Sequence, residues 1–335
     1  MQREMGITKG TKDKEKRAWN HWIEYTKCIG FQDDIWLKLL TPDHQTTIIG
    51  AFAAALRRRH FSKPDTSDLA AGTVQETIAK LDEIFRTNLG YNPTHIPGTE
   101  ELHPALSRQF KEMKNMDPGE KQQRALLVYV YRKFHRMAAV SPDTSRDLDK
   151  ALAELLTLAF FFCMRSCEYF DVQGEQRTKL LCVKNLRFYT SDNRYISGNI
   201  EYLHLAAMVS ITFEFQKRDI RNDIISHQRL NDKQGMGEMC PVRATVLLVQ
   251  RLYSYTNSPY KKFQDTPINL VLVQREYYTI PSSLLLQRIR LVVDCLGFEK
   301  LGFTSADVGT HSNRSGGAIG MFLAGTPVYT IMLMG

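Results

Sequence analysis

From Ala151 to Met164 the chain is apolar on every side of a helix, with Glu154 as its only charge. A helix of that kind offers no face to water and must be enclosed by other elements, so it belongs inside a core. It is too short to cross a bilayer, which takes about 20 residues. The charged N-terminus leads into no signal-like apolar run. The chain is therefore expected to be intracellular, in the nucleus if its source is eukaryotic, with no membrane partner. Pro142-Asp143 opens the segment, and the spacing predicts one long buried helix reaching Cys167.

A length of 335 residues exceeds one typical domain and suits two. Apolar residues make up 43% and charged residues 24%, a balance that excludes an intrinsically disordered chain. Residues 1–17 mix Lys, Glu, Gly and Thr without apolar periodicity and are expected to form a flexible arm. Residues 18–117 read as a small all-helical domain. Trp19, Trp22 and Tyr25 mark one helix, Ile48, Phe52 and Leu56 a second, and Ile78, Leu81 and Phe85 a third. Asp117-Pro118-Gly119 is a turn and the expected boundary. Residues 118–335 alternate between helix and strand, with Val209 to Phe215 and Asp223 to Ser226 predicted to pair as a hairpin. The fold class is thus mainly α with a small β-sheet, an α+β chain of two domains.

Net charge is +8. Residues 1–117 are nearly neutral, 17 basic against 16 acidic, whereas the remainder holds 27 against 20. An anionic partner is therefore expected at the C-terminal half. The six cysteines follow no C-x-x-C spacing, which fits a reducing compartment and leaves no four-ligand zinc set, so no metal is expected.

Thr310-His311-Ser312-Asn313-Arg314-Ser315-Gly316-Gly317-Ala318 concentrates the chemistry of that basic half. On a helix, His311 and Arg314 share a face, and the paired glycines admit close approach of another backbone. Arg165 with Glu168 forms a second cluster in which a carboxylate can orient a guanidinium. Taken alone, an R-x-x-E pair reads as a structural ion pair. Two arginines and a histidine converging on one point would match a phosphodiester, because guanidinium forks suit its non-bridging oxygens. Arg57-Arg58-Arg59 could contact a nucleic-acid backbone, or could equally be a solvated helix end.

These ordered clusters, with a strand pair between them, resemble the two arginine boxes of the tyrosine recombinase (phage integrase) family, and within it the recombinases of Crypton-type mobile elements. The resemblance covers residues 118 to 335; the first half is similar by helical pattern alone. It implies a helical core-binding domain that helps form a C-shaped clamp around double-stranded DNA, followed by a catalytic domain. Arg165 and Arg314 would stabilise the scissile phosphate, His311 would hydrogen-bond it and assist proton transfer, Lys217 would protonate the leaving 5′ oxygen, and Glu168 would orient Arg165. The family works by 3′-phosphotyrosine strand transfer without a cofactor, as a tetramer on two DNA sites.

The resemblance also sets an expectation about what this chain lacks. The family's nucleophilic tyrosine would follow the segment that Leu333-Met334-Gly335 resembles. Tyr329 is the only tyrosine after Arg314 and follows Gly325-Thr326-Pro327-Val328 directly, so it is expected to be structural. The expectation is a phosphate site without a nucleophile, truncated at its C-terminus and inactive in strand cleavage. The alternatives are a non-catalytic DNA-binding or regulatory protein derived from a recombinase, and an unrelated helical protein whose boxes lie far apart.

Overall fold

The computed structural model describes residues 9–61, 67–119, 123–171, 178–214, 222–230, 239–256 and 258–333. The chain divides into two compact units, Met1–Glu120 and Lys121–Gly335.

The first unit is helical, with α1 (Lys9–Cys28), α2 (Pro42–Arg57), α3 (Ala71–Leu89) and α4 (Pro104–Met116). Local chemistry sets the ends. Thr41 caps α2 ahead of Pro42, and Asp43 stands in its first turn. Gly90, at φ 76°, closes α3 by donating to the Arg86 carbonyl. The helices bury Ile49, Phe52, Ile78, Leu81 and Phe85 around Trp22. The Trp22 ring sits edge-on to Phe52 and Phe85, and its Nε1 donates to the Ile35 carbonyl at 2.8 Å.

Two expectations are corrected here. The N-terminal segment does not run as an arm to residue 17: α1 is already helical from Lys9. Its anchor is the stripe Ala18, Trp22 and Thr26, all buried. Lys14 pairs with Glu76 at an exposed position, which adds little, and Glu15 pairs with the partly buried Lys80 at 3.4 Å. Arg57 is not a surface cation. It continues the buried stripe of Ile49, Ala53 and Leu56, and its Nη1 donates to the Leu69 carbonyl at 2.7 Å and to the Asp117 carboxylate. Asp117 also accepts from the Ala71 amide, and the Arg57 contact holds its carboxyl below the usual range. Arg57 therefore ties the end of α2 to the start of α3 and the exit of α4. Arg58 remains exposed as the C-cap of α2, and Arg59, at φ 58°, donates from Nε to the Ser67 carbonyl.

The second unit is α+β. In order it contains α5 (Val128–Ala139), α6 (Asp143–Phe161), α7 (Ser166–Tyr169), β1 (Leu186–Tyr189), β2 (Met208–Phe213), β3 (Asp223–Gln228) and α8 (Pro241–Tyr253). There follow β4 (Leu270–Val273), β5 (Glu276–Thr279), α9 (Ser282–Leu296), α10 (Phe298–Leu301), α11 (Ser312–Leu323) and α12 (Val328–Leu333). Strands β1, β2 and β3 form an antiparallel sheet in that order, with Ile211 opposite Leu186 on one side and Ile225 on the other. Strands β4 and β5 form a separate hairpin.

Helix α6 is the centre of this unit. Ala151, Leu152, Leu155, Leu156, Leu158 and Ala159 have no measurable exposure, and α5, α8, α11 and β4 pack around them. Glu154, the one charge in the run, meets Arg251 of α8 at 3.1 Å. Burial raises the Glu154 carboxyl pKa, and Arg251 opposes that shift. Among the described residues no helix is long and apolar enough to cross a membrane.

The helix does not continue to Cys167 as its spacing predicts. It ends at Phe161, Cys163 takes a left-handed φ of 47°, and a new short helix begins at Ser166. That break turns the chain immediately before Arg165.

Candidate phosphate-binding site

Arg165 is the N-cap of α7, with extended backbone, and Glu168 is its third helical residue. The Glu168 carboxylate accepts from the Arg165 backbone amide at 2.7 Å through Oε2 and from Arg165 Nη1 at 3.3 Å through Oε1. This is a capping-box return in which the same carboxylate fixes both the backbone and the guanidinium of one arginine. Glu168 is 2% exposed. Burial pushes its carboxyl up, and the Arg165 amide and charge, then Arg314, pull it back.

Arg314 comes from the first turn of α11. Its guanidinium is half-buried, and desolvation lowers its affinity for a proton; the like charge of Arg165 lowers it further, with Glu168 opposing. The two arginines are thus within electrostatic reach of each other and of the Glu168 carboxylate, which contacts Arg165 directly. Such a pair is stabilised by an anion that accepts from both, as a phosphate does.

Helix α11 lies where it does because its glycines let it. A Cβ on Gly316 would meet the Leu126 carbonyl at 2.5 Å and the Tyr131 hydroxyl at 2.8 Å, and one on Gly317 would meet the Phe160 carbonyl at 2.2 Å. The Leu126 amide donates to the Ser312 carbonyl at 3.0 Å, and Tyr131 donates to Asn313 Oδ1 at 2.5 Å.

The structure brings together Arg165, Glu168 and Arg314. His311 stands at the head of the same helix as Arg314, with an exposed side chain and its backbone amide donating to Gln123 Oε1 at 3.1 Å. Lys217 lies outside the described residues. Arg57 belongs to the first unit's interior, and Tyr329, on α12, is 69% exposed rather than packed in the core. Sequence reading assigned no role to Tyr131, Asn313 or Tyr169, since nothing in their spacing marks a shared contact. A cavity of about 640 Å³ lies elsewhere, lined by His135, Lys150, Glu154, Arg243 and Arg251, and includes none of the arginine-site residues. Among the described residues no group of three His, Cys, Asp or Glu could hold a metal ion.

No protein-family model matches the chain, and neither does any curated protein. Among solved structures it is similar to the Tn1549 transposon integrase in complex with a circular intermediate DNA, with a TM-score of 0.46 and 9% identity over 86% of this chain and 76% of that one. It is also similar to the XerH site-specific recombinase bound to its difH substrate, with a TM-score of 0.41 and 9% identity over 90% of this chain and 79% of that one.

Proposed function

We propose that this chain is a DNA-binding protein of tyrosine recombinase type, serving site-specific recombination or integration of a mobile element. It grips a backbone phosphate of double-stranded DNA between Arg165 and Arg314. The observation that carries this reading is the half-buried Arg314 beside Arg165, with Glu168 fixing the latter. In the proposed site the two guanidiniums donate to the non-bridging oxygens, where charge grows as the phosphate is attacked. His311, one turn before Arg314, hydrogen-bonds the same phosphate and assists proton movement. Lys217 is the candidate acid for the leaving 5′ oxygen. Arg58 and Arg59 are candidate backbone contacts of the first unit. A tetramer on two DNA sites is the assembly that the resemblance implies for a full-length recombinase.

The test is a salt titration of affinity for a DNA duplex. Each phosphate contact releases condensed counterions, so Arg165→Ala and Arg314→Ala should each flatten the log–log salt dependence by about one unit. Unchanged slopes in both variants would remove the phosphate site from this reading.

A second reading is phosphate binding without cleavage, and Tyr329 is the residue that tests it. Tyr329 is the second residue of α12, which follows the turn at Gly325, at φ 80°, and its side chain is exposed. A nicked suicide substrate is expected to trap no covalent complex with the 335-residue chain. A trapped complex that disappears in Tyr329→Phe would make Tyr329 the nucleophile and this second reading wrong.

A further inference from the structure

Arg165 and Arg314 come from different elements, and their like charges push them apart. Something other than their mutual interaction must therefore hold the first turn of α11 in place. Burial in that turn is one-sided: Ser312 and Asn313 are 0% and 3% exposed, while Arg314, the next residue, is only half-buried. The Asn313 carboxamide is the polar group at the centre of the buried side. Its Oδ1 accepts from the Tyr131 hydroxyl at 2.5 Å, and its backbone carbonyl lies 3.3 Å from the same hydroxyl. Tyr131 is fully buried on α5, and its hydroxyl is, after the Leu126 carbonyl, the second atom against which Gly316 fits.

On its other side Asn313 faces α7. Asn313, Ser166 and Tyr169 line one small cavity, and Tyr169 is the residue after Glu168. The Asn313 carboxamide acts on the buried Tyr169 phenol as a polar neighbour that opposes the effect of burial. Among the described residues its Nδ2 has no hydrogen-bond partner, so the link on this side is electrostatic. Both phenols are protonated at neutral pH, and burial pushes them further above their ordinary range, so Tyr131 is a donor.

We propose that Asn313 is a positioning residue: seated between Tyr131 of α5 and Tyr169 of α7, it sets the rotation of α11 that places Arg314 beside Arg165. This rests on the phosphate-site reading above. Asn313 does not touch the phosphate in this assignment and acts through Arg314 alone. A residue needed only for folding would instead weaken every contact alike.

The experiment is a double-mutant cycle on the full chain, reading affinity and salt slope for a fluorescein-labelled DNA duplex of mixed sequence. Asn313→Ala should lower affinity about tenfold and flatten the slope by about one unit when Arg314 is present, and should add nothing in an Arg314→Ala background. Circular dichroism establishes that each variant is folded. If Asn313→Ala does not fold, Tyr131→Phe, which removes only the donor hydroxyl, takes its place with the same expectation. Equal losses in both backgrounds, or no loss in the folded variant, overturn the positioning role. If Arg314→Ala itself leaves affinity and slope unchanged, the phosphate-site reading has failed; if Arg314→Ala loses affinity and the Asn313 or Tyr131 variant does not, the positioning role alone has failed.

Discussion

Adding one methyl group at Gly317 is expected to destabilise the second unit by about 3 kcal/mol or more, the upper part of the range for an overpacked core. The new Cβ would stand 2.2 Å from the Phe160 carbonyl oxygen and 3.0 Å from Cys163 Sγ. The first of these is backbone at the end of α6, which is packed on every side and cannot swing away. Relief requires α11 to lift from α6, and that movement carries Arg314 with it. Two comparisons isolate the cause. Gly320→Ala meets the tip of the Phe160 ring at 2.8 Å, side chain rather than backbone and a longer approach, so its loss should be smaller. Gly72→Ala meets nothing within 4 Å in α3 and should be neutral or slightly stabilising. Calorimetry of the three variants checks the order. A Gly317→Ala protein as stable as the Gly72→Ala protein would mean that α11 does not sit tightly on α6.

The other large effect concerns the first unit and its dependence on pH. Asp82 of α3 is 8% exposed, and burial raises its carboxyl pKa from 3.8 to about 7. Thr94 donates to its Oδ2 at 2.7 Å and Arg86 attracts it, but Oδ1 has no partner among the described residues and the desolvation cost dominates. The folded state thus holds this proton more tightly than the unfolded chain. Stability is full below the unfolded value and falls as pH rises through the window between 3.8 and about 7. The accumulated loss is on the order of 4 kcal/mol. Asp82→Asn keeps an oxygen for Thr94 and carries no charge, so it should be the more stable protein at pH 8 by a similar amount and nearly equal to the parent at pH 4. All three tryptophans, Trp19, Trp22 and Trp36, lie in this unit, so denaturant unfolding followed by fluorescence reports it selectively. Parallel stability profiles for the two proteins between pH 4 and pH 8 would sink the assignment.

Several elements are legible in sequence because they are encoded by neighbours along the chain. The apolar run through Leu155 and Leu156 required a buried helix, and the spacing of Ile48, Phe52 and Leu56 marked α2. The alternation of Val209 to Phe213 gave a strand, and the pairing of β2 with β3 followed. The hairpin of β4 and β5 carries no such signal. Gln274 and Arg275 occupy its turn at φ 51° and 70°, where the usual marker is Asn-Gly. Arg57 was equally opaque: its charge reads as surface, and only Asp117, far along the chain, shows that it is paired inside.

The arginine site divides along the same line. By itself the sequence determined the chemistry available: a carboxylate three residues after Arg165, a histidine three before Arg314, and two glycines able to accept a close neighbour, since side-chain type and local spacing need no fold to be read. Only the tertiary structure decided that the helix after Phe160 breaks at Cys163, that α11 rests on the Phe160 carbonyl, and that Arg314 therefore lies beside Arg165. Those outcomes depend on contacts between residues some 150 positions apart, as between Gly317 and Phe160. Their free energy comes from packing and shared hydrogen bonds, which no local pattern records.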